Sequence, residues 1–116
     1  MKKENRIKKN HEIASIVNGR KKVASKNYVI YYRKNNEAIT RVAFSVSKKL
    51  GHSFERNKSK RIARNIFRKH LNIMNMFDLV VVIKPCSKDV NFEILENEIN
   101  FLLKLILKKQ GEKNEK

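Results

Sequence analysis

The sequence predicts an α+β fold in which helices cover one face of a mixed β-sheet and leave the other face partly open. A strand, a helix and a second strand follow one another between residues 39 and 83, and strands joined through a helix in this way run parallel. An extended run over 22–33, rich in Val, Ile and Tyr, precedes them and is predicted to be one antiparallel strand. Amphipathic helices are predicted near both ends of the chain.

The first of these helices is predicted to begin with Asn10 as its cap. Glu12 would then lie in the first turn, where a negative charge complements the helix dipole. Ile13, Ile16 and Val17 follow at helical spacing and supply an apolar stripe that can face the sheet.

The predicted strands differ in how they should be buried. In the run over 39–47 every second residue is apolar, so one face would pack on a core and the other would carry small polar groups. The run over 78–83 is apolar almost throughout, which is typical of a central strand covered on both sides. In the earlier strand, alternation places Tyr31 on the face opposite to Tyr28 and Tyr32.

The helix predicted over 54–70 separates positive from apolar residues. Ile62, Ala63 and Ile66 occupy most of one side, and Glu55 is the only acidic residue between Lys48 and Lys69. The opposite side carries Arg56, Asn57, Lys60, Arg61, Arg64 and Arg68. Arginine forks match phosphate oxygens, and a solvated helix normally interleaves Glu at i,i+4 spacing, so this side predicts nucleic-acid contact.

The charge of the whole chain agrees with that prediction. The 116 residues carry 28 Lys and Arg against 11 Asp and Glu, a formal net charge of +17. Such a chain repels itself unless a polyanion supplies counter-charge, so we expect RNA or DNA binding with steep salt dependence. A membrane surface is disfavoured, because Glu93, Glu96 and Glu98 occupy the polar side of the last helix.

Length and composition predict a single domain over 1–116, with a frayed basic tail at about 110–116. The lone cysteine, Cys86, predicts a reducing compartment and is expected to be a small buried apolar residue. Without a signal-like or membrane-spanning run, the expected location is the cytoplasm.

Catalytic side chains are not evident in the sequence. Metal-dependent nucleases cluster carboxylates, yet the aspartates Asp78 and Asp89 lie at opposite ends of a strand. His11, His52 and His70 belong to different elements and lack ligand spacing, so neither a metal site nor a metal-free nuclease site is predicted.

Two adjacent segments resemble the signature of the protein subunit of bacterial ribonuclease P. They read SVSKKLG at 45–51 and RNKSKRIAR at 56–64. The opening RIKKN at 6–10 and the strand at 23–31 are similar to that family as well, and the order of elements matches from about residue 6 to residue 109.

The resemblance implies a four-stranded mixed sheet in the order α-β-β-β-α-β-α, with the left-handed βαβ crossover of the ribosomal protein S5 domain 2-like fold. It also implies a ribonucleoprotein endonuclease that removes the 5′ leader from precursor tRNA. In that family the RNA subunit holds the catalytic Mg²⁺ ions, and the protein lowers the Mg²⁺ requirement. The implied partners are ribonuclease P RNA and precursor tRNA, with a monomeric protein bound once per RNA.

The resemblance also assigns roles to residues of this chain. Contacts with the RNA subunit would come from Lys48, Lys49, Arg56, Asn57, Lys58, Lys60, Arg61, Arg64 and Arg68. A cleft for the single-stranded leader, between the first helix and the open sheet face, would involve Ile13, Val17, Tyr31, Ser45 and Ser47.

Two positions depart from the family pattern. Ile13 and Val17 stand where the family usually has aromatic residues, and aliphatic side chains replace base stacking only in part. Ser53 and Phe54 stand where small and aliphatic residues are usual, and Phe54 is expected to pack against Ile62 or the sheet. The alternative function is a ribosomal or RNA-assembly protein without a role in cleavage.

Overall fold

A computed structural model describes residues 5–35, 39–70 and 76–114, with side chains described as far as residue 109. In chain order its helices and strands are α1 (Asn10–Asn18), β1 (Lys22–Ala24), β2 (Tyr28–Lys34), β3 (Arg41–Val46), α2 (Ser53–Arg68), β4 (Phe77–Ile83) and α3 (Phe92–Asn114). The predicted order α-β-β-β-α-β-α is therefore confirmed. The expected frayed tail begins inside α3, which extends to Asn114, and residues 115–116 lie outside the described part.

The four strands form one sheet in the spatial order β1-β2-β4-β3. β2 pairs antiparallel with β1 and with β4, whereas β3 pairs parallel with β4. The parallel pair is the one joined through α2, as the strand–helix–strand pattern predicts, and its two strands are direct neighbours. The sheet is mixed, with the apolar β4 at its centre.

The prediction of one continuous strand over 22–33 is wrong, because the chain turns back at residues 25–27 to form a hairpin. The backbone N–H of Ser25 donates to the carbonyl of Tyr28 at 2.8 Å and closes the turn. Glu98 of α3 holds it, accepting from the Ser25 hydroxyl at 2.6 Å and from the Asn27 backbone N–H at 3.0 Å. Glu98 is thus half-buried and structural, not part of a solvated face.

The larger core lies between one face of the sheet and helices α2 and α3. Val42 of β3 and Leu79 of β4 are buried there against Ile66 and Phe67 of α2. From α3 the buried residues are Leu95, Ile99, Leu102, Leu103 and Ile106. The alternation predicted for β3 is confirmed, since Phe44 and Val46 pack on the same core.

The opposite face of the sheet carries α1 and is otherwise partly open. Ile16 is fully buried in a smaller cluster with Ala43 and Val80. The predicted apolar stripe of α1 therefore faces the sheet. Asn10 is the first helical residue and not the cap: Lys9 holds the cap position without a side-chain hydrogen bond. Among the described residues, no helix is long and apolar enough to cross a membrane.

Candidate nucleic-acid interface

The basic face of α2 is presented by a tight connection from β3. The Ser47 hydroxyl accepts a hydrogen bond from the Lys49 backbone N–H at 3.1 Å, and Leu50 inserts into the core. Gly51 follows with φ of 150°, a conformation that side-chain-bearing residues rarely adopt. This backbone conformation is what favours glycine at the turn, since the 2.6 Å approach of a Cβ to a Glu55 carboxylate oxygen could be relieved by movement of that side chain.

Burial along α2 follows the pattern predicted from the sequence. Ala63, Ile66 and Phe67 are buried against the sheet. The side chains of Asn57, Lys58, Arg61 and Arg68 are exposed, and those of Arg56, Lys60 and Arg64 are half-buried at the edges of the helix. The helix therefore directs two rows of positive groups away from the core, one outward and one along its border with the sheet.

The positive groups of α2 make no ion pair with any carboxylate of the described residues. Arg56 donates to the Ser53 hydroxyl at 3.2 Å, and Arg68 lies 3.4 Å from the Asn65 side-chain oxygen. The acid of the helix, Glu55, pairs instead with Lys88, which holds the pKa of Glu55 below its ordinary value. The charge of this face is consequently available to an external polyanion.

A cavity of about 210 Å³ connects α2 with the first helix. Lys60 and Arg64 line it from α2, Ile13 from α1, and Arg6 and Lys8 from the segment before α1. That segment is anchored beside β3, where the Ile7 backbone N–H donates to the Val42 carbonyl at 3.1 Å. Positive groups from two separate parts of the chain thus converge on the same edge of the sheet.

The predicted cleft residues lie together on the open face. Ile13 and Val17 of α1 pack with the half-buried Tyr31 on the cluster formed by Ala43 and Val80. Tyr31, Val80 and Ala43 are partners across neighbouring strands, which places the tyrosine ring level with the middle of the sheet.

The two predicted serines extend this surface beyond α1. Ser45 is exposed and pairs across the sheet with Val82, whose other neighbour is Val29. Ser47 is also exposed, but its hydroxyl serves the connection into α2. Lys22 is among the residues that the sequence did not predict here: its ammonium group lies 5.8 Å from the centre of the Tyr31 ring and places a positive charge beside the predicted cleft residues.

A buried carboxylate on β4 lies beside the predicted cleft residues. Asp78 is 1% exposed and pairs across the sheet with Arg33 and Arg41 on its two neighbouring strands. Arg41 binds it through two nitrogens, each at 2.9 Å, and the Asn35 amide donates at 2.8 Å. Burial alone would raise the pKa of Asp78, but these hydrogen bonds and charges outweigh it and hold the pKa below its ordinary value.

The same arginines tie α1 to the sheet. Arg41 also binds Glu12 of α1 at 2.8 Å, and Arg33 donates to the Ser15 hydroxyl at 3.0 Å. The pKa of the Arg41 guanidinium is raised, mainly by its hydrogen bonds to Asp78. Glu12 therefore acts through a cross-element ion pair, in addition to its favourable position in the first turn.

The described residues do not fit a Mg²⁺ site. Asp78 is the most buried carboxylate, and both of its oxygens are occupied by cationic or amide donors. Within the described ranges there is also no group of three His, Cys, Asp or Glu side chains placed to hold a metal ion.

Two further sequence predictions about single residues are wrong. Cys86 is exposed, because it lies in the short helical turn over 85–87 that follows β4 and not in the strand itself. Its Sγ lies 3.1 Å from the Lys26 carbonyl oxygen. Phe54 is 70% exposed and does not pack into the core. It lies in the first turn of α2, before the helix reaches the sheet, and its ring is nearly parallel to that of His52.

Comparison with known proteins agrees with this architecture. The family model "Ribonuclease P" matches residues 1–107. The ribonuclease P protein component of Macrococcus caseolyticus is 38% identical over 109 residues, covering 93% of this chain and 91% of the relative. The Staphylococcus aureus RNase P protein structure superimposes with a TM-score of 0.81 at 33% identity, covering 88% and 94% of the two chains. For the Thermotoga maritima RNase P protein the TM-score is 0.77 at 27% identity, covering 85% and 96%. The chain therefore belongs to the ribonuclease P protein family.

Proposed function

We propose that this chain is the RNA-binding protein subunit of ribonuclease P, the ribonucleoprotein endonuclease that removes the 5′ leader from precursor tRNA. The observation that carries the proposal is the basic face of α2, which lacks carboxylate partners among the described residues and borders the cleft beneath α1. Family membership supports a subunit of a ribonuclease complex. In the proposal, the catalytic site is in the RNA subunit and this chain supplies binding.

The RNA subunit is proposed to dock on α2 and on the turn before it. Lys48 and Lys49 are exposed in the turn that precedes α2. The positive surface therefore continues from this turn to the exposed side of α2 that carries Arg61. The full set proposed is Lys48, Lys49, Arg56, Asn57, Lys58, Lys60, Arg61, Arg64 and Arg68. The lysines and arginines of this set reduce the repulsion between RNA phosphates, so less Mg²⁺ is needed to screen those phosphates.

The leader is proposed to lie on the open sheet face beside α1. Tyr31 offers a ring for stacking, Ile13 and Val17 offer aliphatic contact, and Ser45 and Ser47 offer hydroxyl groups along β3. The cavity lined by Lys60 and Arg64 joins this surface to α2, so one RNA strand could follow a continuous positive path. Mg²⁺ is assigned to the RNA, and one protein is expected per RNA, in the cytoplasm.

Cleavage of a precursor tRNA at low Mg²⁺ tests the proposal. A bacterial ribonuclease P RNA alone should be nearly inactive there, and wild-type protein should restore cleavage. The double variant Arg61→Ala, Arg64→Ala should lose most of the rescue. Lys104→Ala, Lys108→Ala removes the same charge from exposed positions on α3 and should keep it.

Binding of precursor and mature tRNA to the assembled particle separates the two functions considered from the sequence. A ribonuclease P subunit should favour the substrate that carries a 5′ leader, and Tyr31→Ala should reduce that preference about fivefold or more. Tight RNA binding without rescue of cleavage and without leader preference would instead indicate a ribosomal or RNA-assembly protein.

A further inference from the structure

The first turn of α2 exposes an aromatic ring where the basic face begins. Phe54 is 70% exposed, the largest fraction among the exposed large apolar side chains of the described residues. It is located two residues after His52, and the two rings are nearly parallel, with an interplanar angle of 10° and centroids 6.2 Å apart. Burial does not explain a ring in this position.

The surroundings of Phe54 differ on its two sides. On the outer side an open cavity of about 520 Å³ is lined by Phe54 together with Asn57, Lys58, Arg61 and Arg64. This side is strongly positive, and none of its cations has a carboxylate partner among the described residues.

On the other side lies a cavity of about 250 Å³ between α2 and the start of α3. It is lined by Ile62 and Leu95, by the pair of Glu55 and Lys88, and by Asp89 and Lys58, the last of which lines both cavities. This side is close to neutral, so it offers no comparable attraction for a polyanion.

We propose that Phe54 is a stacking platform for one unpaired nucleobase of the ribonuclease P RNA, whose flanking phosphates bind Lys58 and Arg61. The inference rests on the proposed function, and it adds a base contact to a surface otherwise described by phosphate contacts. A nucleobase presents a flat π-face together with a nearby negative charge, and the outer side of Phe54 presents an aromatic face together with guanidinium and ammonium groups.

An RNA base fits this surface better than an apolar protein segment or a lipid chain. Those ligands would have to bury Lys58 and Arg61 without a counter-charge, which is costly. A base that stacks on Phe54 leaves both cations at the polar edge of the contact and extends the pair of rings already formed with His52. The contact would be independent of base identity, because every base has a π-face.

Equilibrium binding of the full-length protein to a bacterial ribonuclease P RNA tests the inference. Phe54→Ala should weaken binding by roughly 5- to 150-fold, the range measured for lost base–aromatic stacking. Phe54→Tyr should bind like wild type, whereas Phe54→Leu, which keeps an apolar side chain without a π-face, should be weakened nearly as much as Phe54→Ala. The slope of log affinity against log salt concentration should not change in any of them, because no phosphate contact is removed.

Phe101→Ala is the matched control, since Phe101 is 57% exposed on α3 and lines neither of the cavities beside Phe54. Equal binding by Phe54→Ala and Phe101→Ala, or full binding by Phe54→Leu, would overturn the inference. A lowered free energy of unfolding for Phe54→Ala with unchanged RNA binding would overturn it too, and would indicate that the ring closes over the cavity beside Leu95. Failure of the wild-type protein to bind the RNA or rescue cleavage would reject the proposed function itself.

Discussion

Arginine serves two opposite purposes in this molecule. Under α1, Arg33 and Arg41 converge on the buried Asp78, and Arg41 also holds Glu12. On α2, Arg61 and Arg64 have no carboxylate partner among the described residues. The first pair is compensated within the fold and fixes α1 on the sheet. The second pair adds little to the fold and leaves its charge for an external ligand.

The comparison shows that net charge alone does not identify a binding surface. The formal charge of +17 counts every arginine equally. Within the described structure, ion pairs with Asp78 and Glu12 neutralise Arg33 and Arg41, whereas the arginines of α2 have no carboxylate partner. The surface that attracts a polyanion is therefore set by where the 11 acidic residues lie.

Removal of Asp78 should have the largest effect on stability. In Asp78→Ala the mostly buried Arg41 loses its carboxylate partner, whereas Arg33, with 38% of its side chain exposed, can be hydrated instead. The free energy of unfolding should therefore fall by about 3 kcal/mol, mainly through Arg41. Urea unfolding measures it. Asp89→Ala, an exposed aspartate on the other side of the molecule, should change it by less than about 0.5 kcal/mol. A stable Asp78→Ala protein would mean that the two sets of arginines do not differ as described.

Removal of the α2 arginines should weaken RNA binding and leave the stability of the fold nearly unchanged. Arg61→Ala, Arg64→Ala should leave the free energy of unfolding within about 0.5 kcal/mol of wild type, because neither side chain forms an ion pair with another described residue. Its affinity for ribonuclease P RNA should fall about 100-fold, at roughly 1.4 kcal/mol for each charged contact. Filter binding measures the affinity, with Lys104→Ala, Lys108→Ala as control. A large loss of stability in the double variant would contradict the assignment.

Acid should weaken the fold at two hydrogen-bonded carboxylates, Asp78 of the arginine network and Glu98 at the hairpin turn. The pKa values of Asp78 and Glu98 are held below their ordinary values of 3.8 and 4.5, in each case by hydrogen bonds that outweigh the opposing effect of burial. A carboxyl whose folded pKa is lowered contributes stability above its unfolded pKa and loses it as pH falls through the folded pKa. The free energy of unfolding should therefore decline as pH falls below about 4. Glu98→Gln should make that decline shallower in a series of urea titrations, and an unchanged slope would contradict the role of this carboxylate.

Removal of Glu12, which joins α1 to the network around Asp78, should lower the free energy of unfolding less than removal of Asp78 does. Glu12→Gln removes the pair between α1 and Arg41 but leaves Arg41 bound to Asp78, so the free energy of unfolding should fall by only about 1 kcal/mol. Because Glu12 adjoins Ile13, the preference for leader-bearing tRNA should also weaken, while affinity for the RNA subunit should not. Equal loss of both affinities would indicate that α1 and α2 act as one surface.

Features encoded by nearby residues were predicted well. The apolar and basic sides of α2 follow from helical periodicity, and the alternation of Val42, Phe44 and Val46 follows from strand periodicity. The parallel pairing of β3 and β4 followed from the helix between them.

Features that depend on distant partners were missed. The hairpin turn at Ser25 is held by Glu98, 73 residues further along the chain, and no local pattern announces that contact. The network around Asp78 joins three strands and α1. A single aspartate opening an apolar strand was a signal for it, but its arginine partners could be identified only once the register was known. The exposure of Phe54 depends on where α2 first meets the sheet.

The most direct test compares the salt dependence of RNA binding in two single variants. Arg33→Gln and Arg61→Gln each remove one positive charge, but Arg33 is paired with Asp78 and Arg61 is unpaired within the described structure. The slope of log affinity for ribonuclease P RNA against log salt concentration should become shallower by about one unit in Arg61→Gln and should stay the same in Arg33→Gln. Equal changes in the two variants would contradict the account, since binding would then depend on total charge and not on the uncompensated face of α2.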